Sequence, residues 1–129
     1  MEKCKYKFED IVDNLNEIFN NIDSIFIGGG EPTINKKDLQ KLLDIYRYKG
    51  KDISIVSNGS ATLDFYRNLH SSIYISRHHF DDKINADIFG ISEKRILSMD
   101  DLAQLFYSTL TCTCIKGGID SVDKIIEYL

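Results

Sequence analysis

The feature that most constrains the fold of this chain is the alternation of short apolar runs with longer amphipathic segments. Four runs rich in Ile, Val, Phe, Tyr and Thr, at residues 24–28, 52–57, 72–76 and 108–114, predict buried strands. Between the runs, apolar residues recur every three or four positions, which predicts helices. Strands joined by helical crossovers lie parallel, so the sequence predicts an α/β fold with a parallel sheet of about four strand–helix units.

The predicted helices precede the first strand and separate the later ones. Their ranges are Phe8 to Ile22, about Leu39 to Gly50, 61–69, about residue 99 onward, and a last helix that Asp120 or Ser121 caps. Ser98 and Asp101 have the spacing of a capping box, which favours a helix start at that point. Residues 77–90 are expected to be mostly loop, with room for one helical turn.

Length and charge limit the classes of protein that this chain can belong to. Its 129 residues make one domain, residues 1–129, and its 43% hydrophobic and 28% charged residues are typical of globular proteins. The formal net charge of −4 has the wrong sign for a protein that grips nucleic acid through phosphate contacts. We therefore expect a small-molecule or protein partner and no nucleic acid.

The apolar runs and the cysteines indicate the cell compartment. No run approaches the roughly 18 apolar residues of a membrane span, and the amino-terminal segment contains no signal-peptide core. The three cysteines, Cys4, Cys112 and Cys114, are an odd number and predict reduced thiols. These features predict a cytoplasmic protein that does not associate with membranes.

The carboxyl ends of the strands are where the chemistry of such a sheet is expected, because parallel α/β sheets bind their ligands there. The loops after residues 28, 57, 76 and 114 are therefore the candidate segments. In the last strand Thr109, Thr111 and Thr113 share one face, and they would line the inner side of the sheet if helices cover the Leu110 face. Packing of β-branched residues explains the same pattern.

The loop Gly28-Gly29-Gly30-Glu31-Pro32-Thr33 is the most informative of these segments. Glycines allow unusual backbone conformations and let a ligand touch the main chain, while Pro32 holds Glu31 extended. A carboxylate beside backbone carbonyls suits an ammonium group, and the loop lacks both the Walker and the dinucleotide-binding spacings. The alternative is a glycine-rich turn with one exposed acid.

The segments IFIGGGEPTINKKDLQKLLDIYR and ISIVSNGS resemble the second and third βα units of radical S-adenosylmethionine (SAM) enzymes. The likeness continues through IYISRHHFDDKINADIFG and STLTCTCIKGGIDSVDKIIEYL, and it covers roughly residues 8–129. This resemblance implies a partial, open TIM-type barrel that binds SAM through its GGEP segment. In an intact parent, a [4Fe–4S] cluster would cleave SAM to a 5′-deoxyadenosyl radical that abstracts a hydrogen atom from a substrate.

The same resemblance implies a set of cofactor-binding residues. They are Gly28, Gly29, Gly30, Glu31, Pro32, Ser57, Asn58, Ser76, Arg77 and Gly118. In the family, the GGEP segment contacts the methionine amino group, a residue placed as Ser76 contacts the ribose, and the glycine turn that contains Gly118 packs near the adenine. Arg77, His78 or His79 is expected to face the cofactor carboxylate or a substrate, while Asn58 is equally typical of a turn. Zinc is not expected, because adjacent histidines on an extended segment point to opposite faces.

The family's cluster motif, C-x-x-x-C-x-x-C, is the part that this sequence does not show. Cys4 stands alone ahead of Gly28, and Cys112 and Cys114 are expected to be small buried residues. The three thiolates of the motif hold the [4Fe–4S] cluster, so this chain alone is not expected to ligate it. We therefore expect a domain that lacks its first βα unit, a fragment or truncated product that is catalytically incompetent by itself.

Two other functions remain open at this stage. The run SIFIG could be an exposed edge strand that pairs with a partner chain or a second copy, in a non-catalytic interaction module. Alternatively, Glu31 and a histidine could act as acid and base in an unrelated α/β enzyme. Neither the substrate nor the oligomeric state follows from the sequence.

Overall fold

A computed structural model describes residues 7–18, 21–105, 108–113 and 118–129. Six α-helices and four strands alternate along these parts of the chain. They are α1 (Phe8–Ile18), β1 (Ser24–Ile27), α2 (Lys36–Tyr48), β2 (Asp52–Ser57), α3 (Leu63–Arg67), β3 (Ser72–Ser76), α4 (Asp82–Phe89), α5 (Met99–Leu102), β4 (Ser108–Thr111) and α6 (Ile119–Tyr128). Two short 3-10 helices, Pro32–Asn35 and Glu93–Arg95, precede α2 and α5.

The four strands form one parallel sheet in the order β1-β2-β3-β4. Ile27 pairs with Ile55, Ile55 pairs with Ile73, and Ile75 pairs with Leu110. Each strand thus lies beside the next strand of the sequence, and β1 and β4 form the edges. This open sheet confirms the predicted α/β class and the four parallel strands.

The core lies between one face of the sheet and the helices. Ile53, Ile55, Ile73 and Ile75 alternate along β2 and β3, and all four side chains are buried on this face. Burying such a side chain stabilises a fold by about 1.5–3 kcal/mol. The helical residues packed against them are Leu39, Leu43, Tyr46, Tyr66, Leu69, Leu102 and Ile125.

The other face of the sheet, which we call the open face, carries Phe26, Val56, Tyr74 and Thr109. Phe26 is 63% exposed, and its ring centroid lies 5.6 Å from that of Tyr74 across β2. Leu110 packs against the core, so Thr109 and Thr111 lie on the open face, as the alternation of β4 predicts. Thr113 lies beyond the end of the strand.

The ends of β2 and β3 match the predicted ranges, whereas α4 was wrongly predicted to be mostly loop. Its eight residues begin after Asp81, whose side chain accepts a hydrogen bond from Ile84 N. They end at Gly90, which has a left-handed φ of 65°. Asp81 is a typical N-cap residue and Gly90 is a typical residue at a helix end, and the prediction missed both signals.

Smaller corrections concern the ends of the chain. The capping box of Ser98 and Asp101 is confirmed at α5. Gly118 is the N-cap residue of α6, so neither Asp120 nor Ser121 caps that helix. Helix α1 is described only to Ile18, because residues 19–20 of the predicted helix lie outside the described residues.

Of the three cysteines, only Cys112 lies within the described residues, and its predicted burial was wrong. Cys112 is exposed and not buried, because β4 ends at Thr111 and the residue after it leaves the sheet. Cys4 and Cys114 lie outside the described residues. Within the described parts, no helix is both long enough and apolar enough to cross a membrane.

Candidate functional site at the carboxyl ends of the strands

The glycine loop follows β1 and lies at the carboxyl edge of the sheet. Its three glycines are exposed, and Gly29 and Gly30 have φ values of 84° and 51°. A Cβ atom at either position would meet no other atom within 4 Å, so their requirement for glycine is conformational and not steric. The loop therefore presents its main chain to the space beyond the strand end.

Glu31 ends this loop in an extended conformation, with φ −140° and ψ 107°, as expected for a residue before proline. Its side chain caps the 3-10 helix that starts at Pro32. Thr33 donates to Glu31 Oε1 twice, from its backbone N at 3.0 Å and from its hydroxyl at 2.7 Å. The acid that the sequence predicted to be a ligand for ammonium thus also holds its own loop.

The Glu31 carboxylate also reaches the end of β2. The Ser57 hydroxyl donates to Oε1 at 2.8 Å, and the Asn58 backbone N donates to Oε2 at 2.7 Å. Oε1 accepts three hydrogen bonds, whereas Oε2 accepts one. Oε2 therefore keeps accepting capacity for a further donor, whereas Oε1 has none left.

Tyr66 continues this chain of hydrogen bonds into the core. Its hydroxyl lies 2.6 Å from Ser57 Oγ, and since Ser57 gives its hydrogen to Glu31, Tyr66 donates to Ser57. Ala61 N donates in turn to the Tyr66 hydroxyl at 3.4 Å. Burial raises the pKa of Tyr66, which keeps this hydrogen in place at neutral pH. We call Glu31, Ser57, Asn58 and Tyr66 the Glu31 network.

Ser57 and Asn58 lie where the sequence predicted them, but their polar groups are mostly used by the fold. Ser57 is 2% exposed, and its hydroxyl is engaged between Tyr66 and Glu31. Asn58 Oδ1 accepts from Ser60 N at 3.0 Å, the local turn contact that was the alternative reading of this residue. The side chain of Asn58 is half-buried at the carboxyl edge.

Ser76 is the last residue of β3 and lies beside Thr111 of β4 in the sheet register. The two hydroxyl oxygens are 3.4 Å apart, and both side chains are half-buried. These hydroxyls are at the carboxyl end of the open face. Their position is the one predicted for groups that contact a bound ligand.

Arg77 points to the other side of the sheet. Its side chain is 1% exposed, and its guanidinium donates to the carbonyl oxygens of Leu97 and Phe80 and to Asp82 Oδ1, at 3.1, 2.5 and 2.5 Å. These contacts hold the loop between β3 and α4. The structure therefore does not bring Arg77 together with the other predicted site residues.

His78 connects the loops that follow β3 and β4. Its Nδ1 accepts from Thr113 N at 3.0 Å, and its ring lies 5.0 Å from that of Phe89. Burial lowers the pKa of His78, which favours the neutral ring with its hydrogen on Nε2. Asn85, which is fully buried, fixes the backbone by accepting from His78 N at 2.8 Å and His79 N at 3.2 Å. Sequence reasoning missed Asn85, because residues 77–90 were predicted to be mostly loop.

The last predicted residue, Gly118, is buried at the start of α6. Its carbonyl accepts from Ser121 N at 3.1 Å, and Phe80 N donates to the Ser121 hydroxyl at 2.5 Å. Residues 114–117, which include Lys116, lie outside the described residues. Gly118 thus lies next to the loop after β3, although no side chain marks it as a binding residue.

The comparison with protein families identifies the family of the chain. The family model described as the Radical SAM superfamily matches residues 5–129. The chain belongs to the radical SAM superfamily. The open four-stranded parallel sheet is consistent with part of a radical SAM TIM-type barrel, and no curated protein matches the chain.

Two solved structures show the radical SAM fold in longer proteins. The crystal structure of Streptococcus suis SuiB bound to precursor peptide SuiA is similar to 99% of the chain, with a TM-score of 0.75 and 17% sequence identity. The crystal structure of archaeal TYW1 is similar over 99% of the chain, with a TM-score of 0.66 and 21% identity. The similarity covers 31% of the SuiB chain and 54% of the TYW1 chain, so the radical SAM chain spans about a third and about half of these neighbours.

The residues of the candidate site suit an ammonium group better than an iron–sulfur cluster. The exposed main chain of the glycine loop and Glu31 Oε2 offer oxygen acceptors, which an ammonium group requires. A [4Fe–4S] cluster requires several thiolates, and the described residues contain one cysteine, Cys112. No three His, Cys, Asp or Glu side chains converge on a metal-sized site in the described parts of the chain. We therefore assign no cluster chemistry to these residues.

Proposed function

We propose that this chain forms the SAM-binding part of a radical SAM enzyme, with the cofactor at the carboxyl ends of the four strands. The observation that supports this most strongly is the Glu31 network. It ties the glycine loop to the end of β2 through Ser57 and Asn58, at 2.8 and 2.7 Å, and leaves the main chain of the loop exposed. A loop held in this way is preorganised for a ligand.

The amino group of SAM is the part of the cofactor that this loop would hold. An ammonium group has three donors, and the loop offers its backbone carbonyls together with the free accepting capacity of Glu31 Oε2. The negative charge of Glu31 strengthens such hydrogen bonds because they are charge-assisted. Gly28, Gly29, Gly30 and Glu31 thus recognise the ammonium group, while Pro32 keeps Glu31 extended.

The nucleoside part of SAM would lie over the ends of β2, β3 and β4. Asn58, Ser76 and Thr111 supply half-buried polar groups there, and Gly118 lies nearby at the start of α6. Ser57 acts in this proposal as a positioning residue, because its hydroxyl is already committed to Glu31. Arg77 has no direct role, because its guanidinium is bonded inside the fold.

The reaction of the whole protein would be SAM-dependent radical chemistry, in which the bound cofactor supplies a 5′-deoxyadenosyl radical. These 129 residues hold one part of that machinery, and the cluster thiolates come from outside the described residues. By itself the chain binds SAM and does not cleave it.

Isothermal titration calorimetry with three ligands tests this proposal. SAM and S-adenosylhomocysteine both carry the amino acid group, whereas 5′-methylthioadenosine lacks it. We expect saturable binding of the first two and a loss of at least about tenfold in affinity for the third, the equivalent of about 1.4 kcal/mol. Equal affinity for all three ligands would rule out recognition of the ammonium group.

A second candidate function, pairing with another chain, is favoured by one observation at the β1 edge of the sheet. Strand β1 is an edge strand, and its Phe26 side chain is 63% exposed. Edge strands of this kind can pair with another chain. Sedimentation velocity over a hundredfold range of concentration tests pairing between copies; a sedimentation coefficient that stays constant at the monomer value would exclude self-association.

A further inference from the structure

A cavity lies at the amino ends of the strands, at the end of the sheet opposite the glycine loop. Its volume is about 1100 Å³, and the first residues of all four strands, Ser24, Asp52, Ser72 and Ser108, border it. We call this space the amino-end cavity. The proposed SAM site does not use it, because that site is built from the loops at the other ends of the strands.

The charges of the amino-end cavity differ from those of the whole chain. Arg47 of α2, Arg67 of α3 and Lys51 before β2 line it, and Asp52 is the one acidic residue among its described lining residues. The chain as a whole has a net charge of −4. The positive lining is therefore a local feature and does not follow from a basic composition.

The cations are positioned by neutral groups. Arg47 Nη2 donates to the carbonyl oxygens of Leu69 and His70, at 2.5 and 3.3 Å, and to the Ser71 hydroxyl at 3.2 Å. Arg67 Nη2 donates to Gln104 Oε1 at 2.8 Å. These acceptors fix the two guanidinium groups without neutralising them.

The acidic neighbours of the two arginines are distant and exposed. Asp44 Oδ1 lies 3.7 Å from Arg47 Nη1, and Asp64 Oδ1 lies 3.8 Å from Arg67 Nη1. The two aspartate side chains are 62% and 88% exposed, and such surface pairs stabilise little. Both Nη1 groups therefore keep donors for a stronger anionic acceptor.

The inner wall of the amino-end cavity is apolar. Phe26, Ile53, Tyr66 and Leu105 form part of its lining. Apolar walls with a few convergent polar groups are typical of small-molecule sites, and the arginine fork suits the two oxygens of a phosphate or carboxylate. His70 at the rim has a φ of 48°, which is uncommon for a residue other than glycine, and its carbonyl is one of the Arg47 acceptors.

We propose that the amino-end cavity binds a small organic anion. Its phosphate or carboxylate group contacts Arg47 and Arg67, and its apolar body packs against Leu105. This site is separate from the SAM site, and the two ligands can be bound together. An anionic effector or an anionic part of a larger substrate would satisfy this chemistry.

The direct test is a titration of the ¹⁵N-labelled 129-residue chain, followed by amide chemical shifts. The probes are phenyl phosphate, with inorganic phosphate and phenol as its separate parts, and benzoate, with formate as its anionic part. We expect phenyl phosphate or benzoate to bind saturably and at least about tenfold more tightly than its separate parts, and the tighter of the two identifies the anionic group. The shifted amides should include those of Ser71 and Ser72, while those of Gly29 and Asn58 stay in place.

Charge variants separate this site from general electrostatic attraction. Arg67→Glu should weaken binding of the tighter probe by at least about tenfold, and Arg67→Gln by less. Arg95→Glu makes the same change of charge at an exposed residue outside the cavity, and it should leave the affinity unchanged. Far-ultraviolet circular dichroism confirms that each variant is folded.

Three results would overturn the proposal: shifts that rise linearly without saturation, shifts centred on the glycine loop, or equal weakening by Arg67→Gln and Arg95→Glu. None of them bears on the SAM proposal. Calorimetry with SAM on the Arg67 variants reports that function separately.

Discussion

Ser57 Oγ lies 2.8 Å from Glu31 Oε1, and this contact joins the carboxyl ends of β1 and β2. The backbone N–H of Asn58 adds a second bond to the same carboxylate, at 2.7 Å to Oε2. The glycine loop is thus fixed by the neighbouring strand before any ligand binds. Glu31 has two roles in this account, one as an anchor of the loop through Oε1 and one as a ligand for ammonium through Oε2.

The anchoring role predicts a loss of stability in Glu31→Ala. The variant removes the acceptor of four hydrogen bonds, including the acceptor of the hydrogen of the buried Ser57 hydroxyl. Hydrogen bonds to charged groups contribute about 1.5–3 kcal/mol each, and because the loop relaxes toward water we expect a net loss of about 2 kcal/mol. Urea denaturation measures this loss. Glu93→Ala, at an exposed acid of the second 3-10 helix, is the matched control, and an equal change in both variants would contradict the anchoring role.

Tyr66→Phe tests the buried end of the Glu31 network. The Tyr66 hydroxyl donates to Ser57 at 2.6 Å, and its removal leaves the Ser57 hydroxyl with its bonds to Glu31 and to Gly59 N. We expect the free energy of unfolding to fall by about 1 kcal/mol, the usual net value of one hydrogen bond. Tyr74→Phe removes a hydroxyl from the open face and should have little effect. If thermal unfolding shows the two variants to be equally stable, the Tyr66 contact contributes nothing.

Arg77→Met should reduce stability and leave SAM affinity unchanged. The guanidinium is 1% exposed and makes contacts to Leu97, Phe80 and Asp82, which the variant leaves without their partner. Breaking a fully buried ion pair costs about 3–5 kcal/mol, and since Asp82 is partly exposed we expect about 2–3 kcal/mol. Denaturation together with SAM calorimetry checks both parts. A stable variant that no longer binds SAM would show that Arg77 contacts the cofactor after all.

The pH dependence of stability should reveal His78. Burial lowers the pKa of His78 in the folded state. Below the ordinary histidine pKa of 6.5, the unfolded chain therefore binds a proton at this residue more readily than the folded chain does. The stability that this residue contributes is complete above pH 6.5 and declines as the pH falls through that value toward the folded pKa. Protonation also removes the Nδ1 acceptor of Thr113 N.

The measurement is the difference in unfolding free energy between the wild-type chain and His78→Gln, taken at half-unit steps from pH 7.5 to 5. We expect the difference to shrink as the pH falls. A difference that stays constant over this range would mean that His78 does not titrate differently in the folded and unfolded chains.

The strands of this fold could be predicted because each is a local pattern. Ile53 and Ile55 alternate with less buried residues in β2, and Ile73 and Ile75 do so in β3, so the bounds of both strands follow from the sequence. Helix α4 has equally local signals in Asp81 and Gly90, but its polar first turn made it resemble a loop. The parallel topology follows from the alternation of elements alone.

The candidate site could be predicted only in part, because its contacts join residues that are distant in the chain. The exposed glycines and the extended Glu31 were visible in the sequence. The bond from Ser57 to Glu31 spans 26 positions and that from Arg77 to Leu97 spans 20, and no local rule links such residues. For the same reason Ser57 and Arg77 were predicted to contact a ligand, although their polar groups are used within the fold.

Recognition of SAM by the glycine loop can be tested directly with one pair of glycine variants. Gly30 and Gly50 both have left-handed φ values, 51° and 67°. Gly50 follows α2 and precedes β2, so it lies at the amino ends of the strands, away from the glycine loop. An alanine in this conformation costs about 1–2 kcal/mol, so both variants carry a similar strain. At Gly30 this strain opposes the loop conformation that the Glu31 network holds for SAM, whereas at Gly50 it lies away from the proposed site.

The measurement is therefore SAM affinity, by calorimetry, in Gly30→Ala and Gly50→Ala. We predict that Gly30→Ala weakens binding by about tenfold, as about 1.4 kcal/mol of strain requires, while Gly50→Ala binds SAM as the unmodified chain does. Equal SAM affinity in the two variants would contradict the recognition of SAM by the glycine loop.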